Sequence, residues 1–317
     1  MSFERISVVV QGPVQAYQGR GMEEGITRRC LDSVRTHLPG ATLILSTWPD
    51  QDLSGLDYDL LVESDDPGPN ADAYCPRNYH RQLVSSREGL KRVTTDYAVK
   101  LRSDNYLVGN QFVERQQDYP LRHPNFTQFA ERVVINANLF RRYSKGHRIL
   151  YHPSDFFYYG RTEDLLKIWD QPLFPQQPFS DALLAGFYGL RKGQIPLEAE
   201  QVICQLWLLA LDPNAPMIHR RIAGDAAAHD YWDKFVASNI LLDEPAEIGL
   251  GLRKLSLRRK KRVNEFTHHE WCELYNRHCG GTLPMLDGTG WKEMQRRRLA
   301  KLPFSWLKTR LLDWAPR

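Results

Sequence analysis

Four short segments concentrate residues able to hold a phosphate or a nucleoside: Gln11-Gly12-Pro13, Thr47-Trp48-Pro49-Asp50, Asp65-Asp66-Pro67-Gly68 and Ser103-Asp104-Asn105. Arg81 lies one turn into a helical pattern opened by Asn78, and its fork can clamp a diphosphate bidentately. A surface salt bridge is the competing reading of that arginine. Lys100 sits inside the apolar run Tyr97–Arg102, where a buried ammonium needs a partner or a ligand anion. Trp48 can stack on a base or cap the core, and Asp104 can serve a ligand or cap a turn. Two further carboxylates stand out. Asp155 leads into the aromatic run Phe156–Tyr159, and Glu200 begins the most apolar helical pattern of the chain. His147, His152, His219 and His229 show no metal-ligand spacing and read as ordinary histidines.

The elements that must position these residues follow from apolar periodicity. Ile6–Val10 is a β-branched run of the kind buried on both faces of a parallel sheet. A helical pattern through Ile26, Cys30, Leu31, Val34 and Leu38 stops at Pro39-Gly40. Strands are expected over 42–47, 59–63 and 97–102, with a helix from Asn78 before the last of them. That alternation predicts an α/β fold with a mostly parallel sheet flanked by helices. Further strands are expected over 129–136 and 151–159. Gly160 is read as the turn into a helix over 162–169, and another helix is expected over 198–211.

In open parallel sheets, ligands bind outside the carboxyl ends of the strands, where all four polar segments fall. No Gly-x-Gly-x-x-Gly pattern and no P-loop is present, so neither a dinucleotide fold nor a P-loop enzyme is supported.

The chain has 317 residues, 42% hydrophobic and 25% charged, which suits a globular α/β protein. Five scattered cysteines without a CxxC pair point to free thiols in a reducing compartment. The N-terminus has no signal-like region, and no apolar stretch is long enough to span a bilayer. The net charge of +4 hides an asymmetry: 16 Lys/Arg face 6 Asp/Glu from Arg253 to Arg317, so an acidic body carries a basic tail. Basic residues there alternate with Phe304, Trp306, Leu307, Leu311 and Trp314, a mixture suited to an anionic bilayer surface or to packing on the body. No nucleic-acid-binding signature accompanies it, and nucleic acid is not expected as a partner.

Taken in order, Val9-Val10-Gln11-Gly12-Pro13, Leu38-Pro39-Gly40-Ala41 before Leu45-Ser46-Thr47-Trp48, Asp66-Pro67-Gly68, Asn78 with Arg81-Gln82 and Ser85, and Lys100-Leu101-Arg102-Ser103-Asp104 resemble the WavE family of lipopolysaccharide synthesis. The resemblance implies a GT-A-type, Rossmann-like glycosyltransferase domain over residues 1–248. Residues 1–110 would be its nucleotide-sugar half and 111–248 its acceptor half. A basic, aromatic helical extension over 249–317 would follow.

The implied donor is a nucleotide sugar, held by Gln11, Gly12, Pro13, Thr47, Trp48, Asp66, Asn78, Arg81, Lys100, Arg102 and Asp104. The implied acceptor is a lipopolysaccharide core, O-antigen or capsule-type glycan, free or lipid-linked. GT-A enzymes usually place an Asp-x-Asp pair at the end of the fourth strand to hold manganese or magnesium. Here only Asp104 stands there, behind Arg102, so a metal at Asp104 rests on one carboxylate. An inverting enzyme needs a base; Glu200 matches the expected layout, with Asp155 as the other catalytic carboxylate. The implied location is the cytoplasmic face of a bacterial inner membrane, bound peripherally through the tail. A sugar nucleotidyltransferase and a non-catalytic phosphate- or membrane-binding protein are the alternative functions.

Overall fold

The computed structural model describes residues 2–14, 25–68, 78–173, 197–253, 263–284 and 289–314. The N-terminal elements alternate: β1 (Ile6–Gln11), α1 (Ile26–His37), β2 (Thr42–Thr47), β3 (Leu60–Glu63), α2 (Tyr79–Leu90), β4 (Tyr97–Arg102) and β5 (Asn105–Leu107). The middle of the chain adds α3 (Gln111–Arg115), β6 (Val133–Asn136), β7 (Tyr143–Ser144), β8 (His147–Arg148), β9 (Phe157–Arg161) and α4 (Thr162–Trp169). The rest comprises α5 (Ala199–Leu211), α6 (Ala226–Asn239), β10 (Ile240–Asp243), β11 (Leu250–Leu252), α7 (His268–Cys279) and α8 (Thr289–Trp314).

Seven strands form one sheet in the order β10-β6-β9-β4-β1-β2-β3. β1 pairs in parallel with both β2 and β4, and β9 runs antiparallel between β4 and β6. Every residue of β1, β6 and β10 is buried, as continuous apolar strands covered on both faces require. Chain order reverses at β1, with β2 on one side and β4 on the other. That is a topological switch point, where the carboxyl ends of two neighbouring strands open a crevice. Helix α2 presses close to the sheet beside it: a Cβ on Gly89 would stand 2.4 Å from Val9 Cγ1.

Two expected strands are shorter than their sequence patterns. The first starts at Val133, because the amides of 128–131 are taken by side chains. Asn239 Oδ1 accepts from Gln128 and Phe129, and Asp164 accepts from Ala130 and Glu131. The second starts at Phe157, after a loop in which Tyr151 takes a left-handed backbone, φ 60, and Pro153 lacks an amide hydrogen. Gly160 is not a turn but a member of β9, where a Cβ would lie 3.2 Å from Val133 Cγ2.

Within 249–317, β11 pairs antiparallel with β5, and the Trp271 indole of α7 donates to the Ile240 carbonyl at 2.7 Å. Helix α8 is tied down by Arg298, buried with its guanidinium on Glu270 at 3.0 Å and over the Tyr143 ring at 3.9 Å. Residues 254–262, most of the basic cluster that begins at Arg253, lie outside the described residues. Among the described residues no helix is long and apolar enough to cross a membrane. Cys30, Cys204, Cys272 and Cys279 are free thiols, and Cys75 lies outside the described residues.

Candidate functional site

The ends of β1 and β4 are tied together at the switch point. Ser103 donates its amide to the Gln11 carbonyl at 3.0 Å and its hydroxyl to the Pro13 carbonyl at 2.8 Å. Gly12, with φ 118, donates to the Ser46 carbonyl; a Cβ there would sit 3.2 Å from Ser103 Oγ, so only glycine fits without strain. The Gln11 side chain is buried and accepts from Ser85 of α2 at 2.6 Å.

Lys100 and Arg102 are two residues apart on β4 and therefore face the same side of the sheet. Arg102 holds Asp104 side-on, with Nε–Oδ1 and Nη2–Oδ2 both 2.9 Å, and reaches Asp155 Oδ2 with Nη1 at 2.8 Å. Gln82 of α2 donates to the same Asp155 oxygen at 2.7 Å. Burial opposes the Arg102 charge, yet Asp104 and Asp155 together hold its pKa above the ordinary arginine value. Lys100 is fully buried, donates to the Asp155 carbonyl and stands 4.3 Å from the Trp169 ring centroid. Burial pulls its pKa down to about 7, against the opposing pull of Asp155. Lys100 and Arg102 thus fix the backbone and the carboxylate of Asp155.

A divalent ion at Asp104 does not fit this arrangement. Both oxygens of the single carboxylate already face a guanidinium, where a hard cation wants free oxygen ligands.

The remaining expected residues lie at the end of β2 and around the start of α2. Arg81 pairs side-on with Asp66 at 2.6 and 2.7 Å and donates to Asn78 Oδ1 at 3.0 Å, the surface-pair geometry. Thr47 is buried, its hydroxyl without a partner among the described residues, and Trp48 is only 6% exposed, which leaves little ring face for a base.

Glu200 lies in the first turn of α5. Burial, and next the charge of Asp155, raise its pKa to about 7. Beside it the helix opens with a capping box between Glu198 and Gln201. Glu198 also takes Arg141 and Arg221 on Oε1, at 3.1 and 2.7 Å. His152 lies 3.7 Å from Glu200. In the sequence this histidine shows no ligand spacing, because its neighbours come from residues 198–200, far along the chain. Burial holds its pKa down at about 3, with Arg141 acting in the same direction, so the ring is neutral. The one available signal was the loop itself, His152-Pro153-Ser154-Asp155, which carries two ionisable groups into the sheet.

No curated protein matches the chain in sequence. Among solved structures it is similar to a cytidylyltransferase from Leptospira borgpetersenii serovar Hardjo-bovis, at 12% identity and a TM-score of 0.33, over 57% of this chain and 70% of that one. It is also similar to a 4-diphosphocytidyl-2C-methyl-D-erythritolsynthase from Anaerococcus prevotii, at 12% identity and a TM-score of 0.32, over 65% of this chain and 97% of that one. A family model described as WavE lipopolysaccharide synthesis matches residues 6–304, nearly the whole length, and the chain belongs to that family.

Proposed function

We propose that this protein is a GT-A-type glycosyltransferase that moves a sugar from a nucleoside-diphosphate donor onto a lipopolysaccharide core, O-antigen or capsule-type glycan. The observation that carries the reading is the division of labour between two carboxylates beside the switch point. Asp155 is fixed by Arg102, Gln82 and, through its backbone, Lys100. Glu200 forms no ion pair with an arginine or lysine among the described residues and keeps its proton up to about pH 7. A base whose pKa lies near the working pH transfers protons most effectively.

In this reading Glu200 takes the proton of the acceptor hydroxyl as that oxygen attacks the anomeric carbon. The bond from that carbon to the diphosphate oxygen breaks, and the nucleoside diphosphate leaves with the electron pair. The anomeric centre is inverted. Asp155 binds sugar hydroxyls, while Arg81, half-buried, exchanges Asp66 for a phosphate. The outer face of α8 rests on an anionic membrane surface, next to a lipid-linked acceptor.

The test is a panel of radiolabelled sugar nucleotides incubated with lipopolysaccharide acceptors. Transfer from one donor, lost in Glu200→Gln with donor binding retained, is the expected result. No binding and no turnover of any donor would overturn the reading.

A further inference from the structure

We propose that His152, Glu198 and Glu200 form a binding site for a borderline divalent cation such as Zn2+. One ligand atom from each of the three lies within 4.8 Å of the other two. Tetrahedral bonds of about 2.1 Å set ligands about 3.4 Å apart, so small rotamer shifts close the site.

The independent observation is the state of the imidazole. His152 is 2% exposed, and among the described residues neither ring nitrogen has a hydrogen-bond partner. Buried polar side chains are almost always satisfied, and one with both nitrogens idle calls for a missing partner. Its Nε2 points at Glu200, 3.7 Å from Oε2. The surroundings hold the ring there. Tyr151, in the left-handed region, is pinned by its hydroxyl on the Pro216 carbonyl at 2.6 Å and by its ring against Trp232. Gln201 ties the start of α5 to the same loop by donating to the Leu150 carbonyl at 2.9 Å. Strained backbone maintained by its surroundings tends to mark functional positions.

The charge around the site decides which cation it takes. Arg141 and Arg221 on Glu198 offset the carboxylates, so a hard ion that relies on charge alone, magnesium or calcium, gains little. An ion that bonds well to imidazole gains more, which favours zinc and cobalt. One consequence rests on the function proposed above: a bound cation occupies Glu200 and stops it accepting a proton, so zinc inhibits transfer.

Binding itself is measured without turnover. Co2+ added to the full chain is expected to give visible d–d absorption that Zn2+ bleaches, with Zn2+ affinity confirmed by calorimetry. His152→Gln should weaken Zn2+ binding by more than the about 10–100-fold typical of losing an outer partner. Glu200→Gln, which keeps size, should weaken it as well and serves if His152→Gln does not fold. Cys272→Ser should leave binding unchanged, although Cys272 and His268 stand 3.3 Å apart. No Zn2+ binding, or binding lost in Cys272→Ser and intact in both other variants, overturns the proposal. Loss of binding in those variants supports it whether or not a sugar donor is ever found.

Discussion

Arg102 grips Asp104, two residues further on, through two parallel bonds of 2.9 Å. A guanidinium thus stands where an Asp-x-Asp pair would hold a cation, and it bridges on to Asp155. Transfer should therefore survive EDTA. Arg102→Lys should cut it about 100-fold, because a point charge cannot hold two carboxylates in one plane and small misplacements are costly. The same change should destabilise the fold by about 1.5–3 kcal/mol, the range for hydrogen bonds to charged groups. Assays of EDTA-treated protein with and without Mn2+ check the first part. Activity that vanishes with EDTA and returns only with Mn2+ would defeat it.

Glu200 predicts a pH profile. Its pKa rises from 4.5 to about 7 through burial and then Asp155, and a base works only when deprotonated. Transfer should fall about tenfold per pH unit below that value and level off above it. Glu200→Gln should lose about 10²–10⁴-fold and flatten the limb. Stability moves in the opposite sense. The folded value exceeds the unfolded one, so this group's contribution is complete below pH 4.5 and is lost as pH rises through 7. Melting temperatures of wild type and Glu200→Gln should differ least at low pH, with wild type losing ground to the variant toward neutrality. Full activity in Glu200→Gln beside a dead Asp155→Asn would give the role to Asp155.

Lys100 predicts a split between rate and binding. It is fully buried under Asp155, which makes it a positioning residue and not a phosphate ligand. Lys100→Met keeps the stem volume and removes the ammonium, so the fold should hold. Its folded pKa, about 7, lies below the usual 10.5, so wild type should gain stability from this group as pH rises between those values. The variant should lack that gain. Its kcat should fall about tenfold or more with donor KM unchanged, since the Asp155 loop loses its anchor. A raised donor KM with kcat intact would show instead that the ammonium contacts the diphosphate.

Strands β1, β2 and β4 are legible because a strand buried on both faces leaves a near-continuous apolar run, as in Ile6–Val10 and Thr42–Thr47. So is the carboxyl-end position of Gln11 and Asp104, which follows from where those runs stop. What the sequence concealed depends on distant partners. Phe129 looks like the start of a strand, but its amide goes to Asn239 on α6, far along the chain. His152 looked ordinary because Glu198 and Glu200 reach it only through the fold. Arg81 and Arg102 could each be read as phosphate ligands, and only the three-dimensional arrangement reveals the carboxylates, Asp66 and Asp104, that hold them.

The membrane prediction must be tested without removing α8. Arg298 lies inside that helix, with its guanidinium on Glu270 and on the carbonyls of Val263 and Glu265. Deleting 292–317 would take that cation from a buried carboxylate. Arg298→Ala should do the same, lowering stability by about 3–5 kcal/mol, the cost of breaking a buried pair. A truncated protein that fails to bind vesicles would then report unfolding and not a lost anchor. The outer face of the helix offers a cleaner handle. Leu299 is 63% exposed, Phe304 79% and Leu307 53%, and Arg296, Arg297 and Lys301 are exposed beside them. Apolar side chains insert into the acyl boundary, and each basic residue near an anionic surface contributes about 1 kcal/mol. Changing Leu299, Phe304 and Leu307 together to Ser should leave circular dichroism and activity on a short soluble acceptor unchanged. Co-sedimentation with phosphatidylglycerol vesicles should drop sharply, and what binding remains should disappear in high salt. Wild-type binding should weaken with salt but persist, because insertion is not screened. If the triple variant still pellets with vesicles as well as wild type does, this face of α8 is not what meets the membrane.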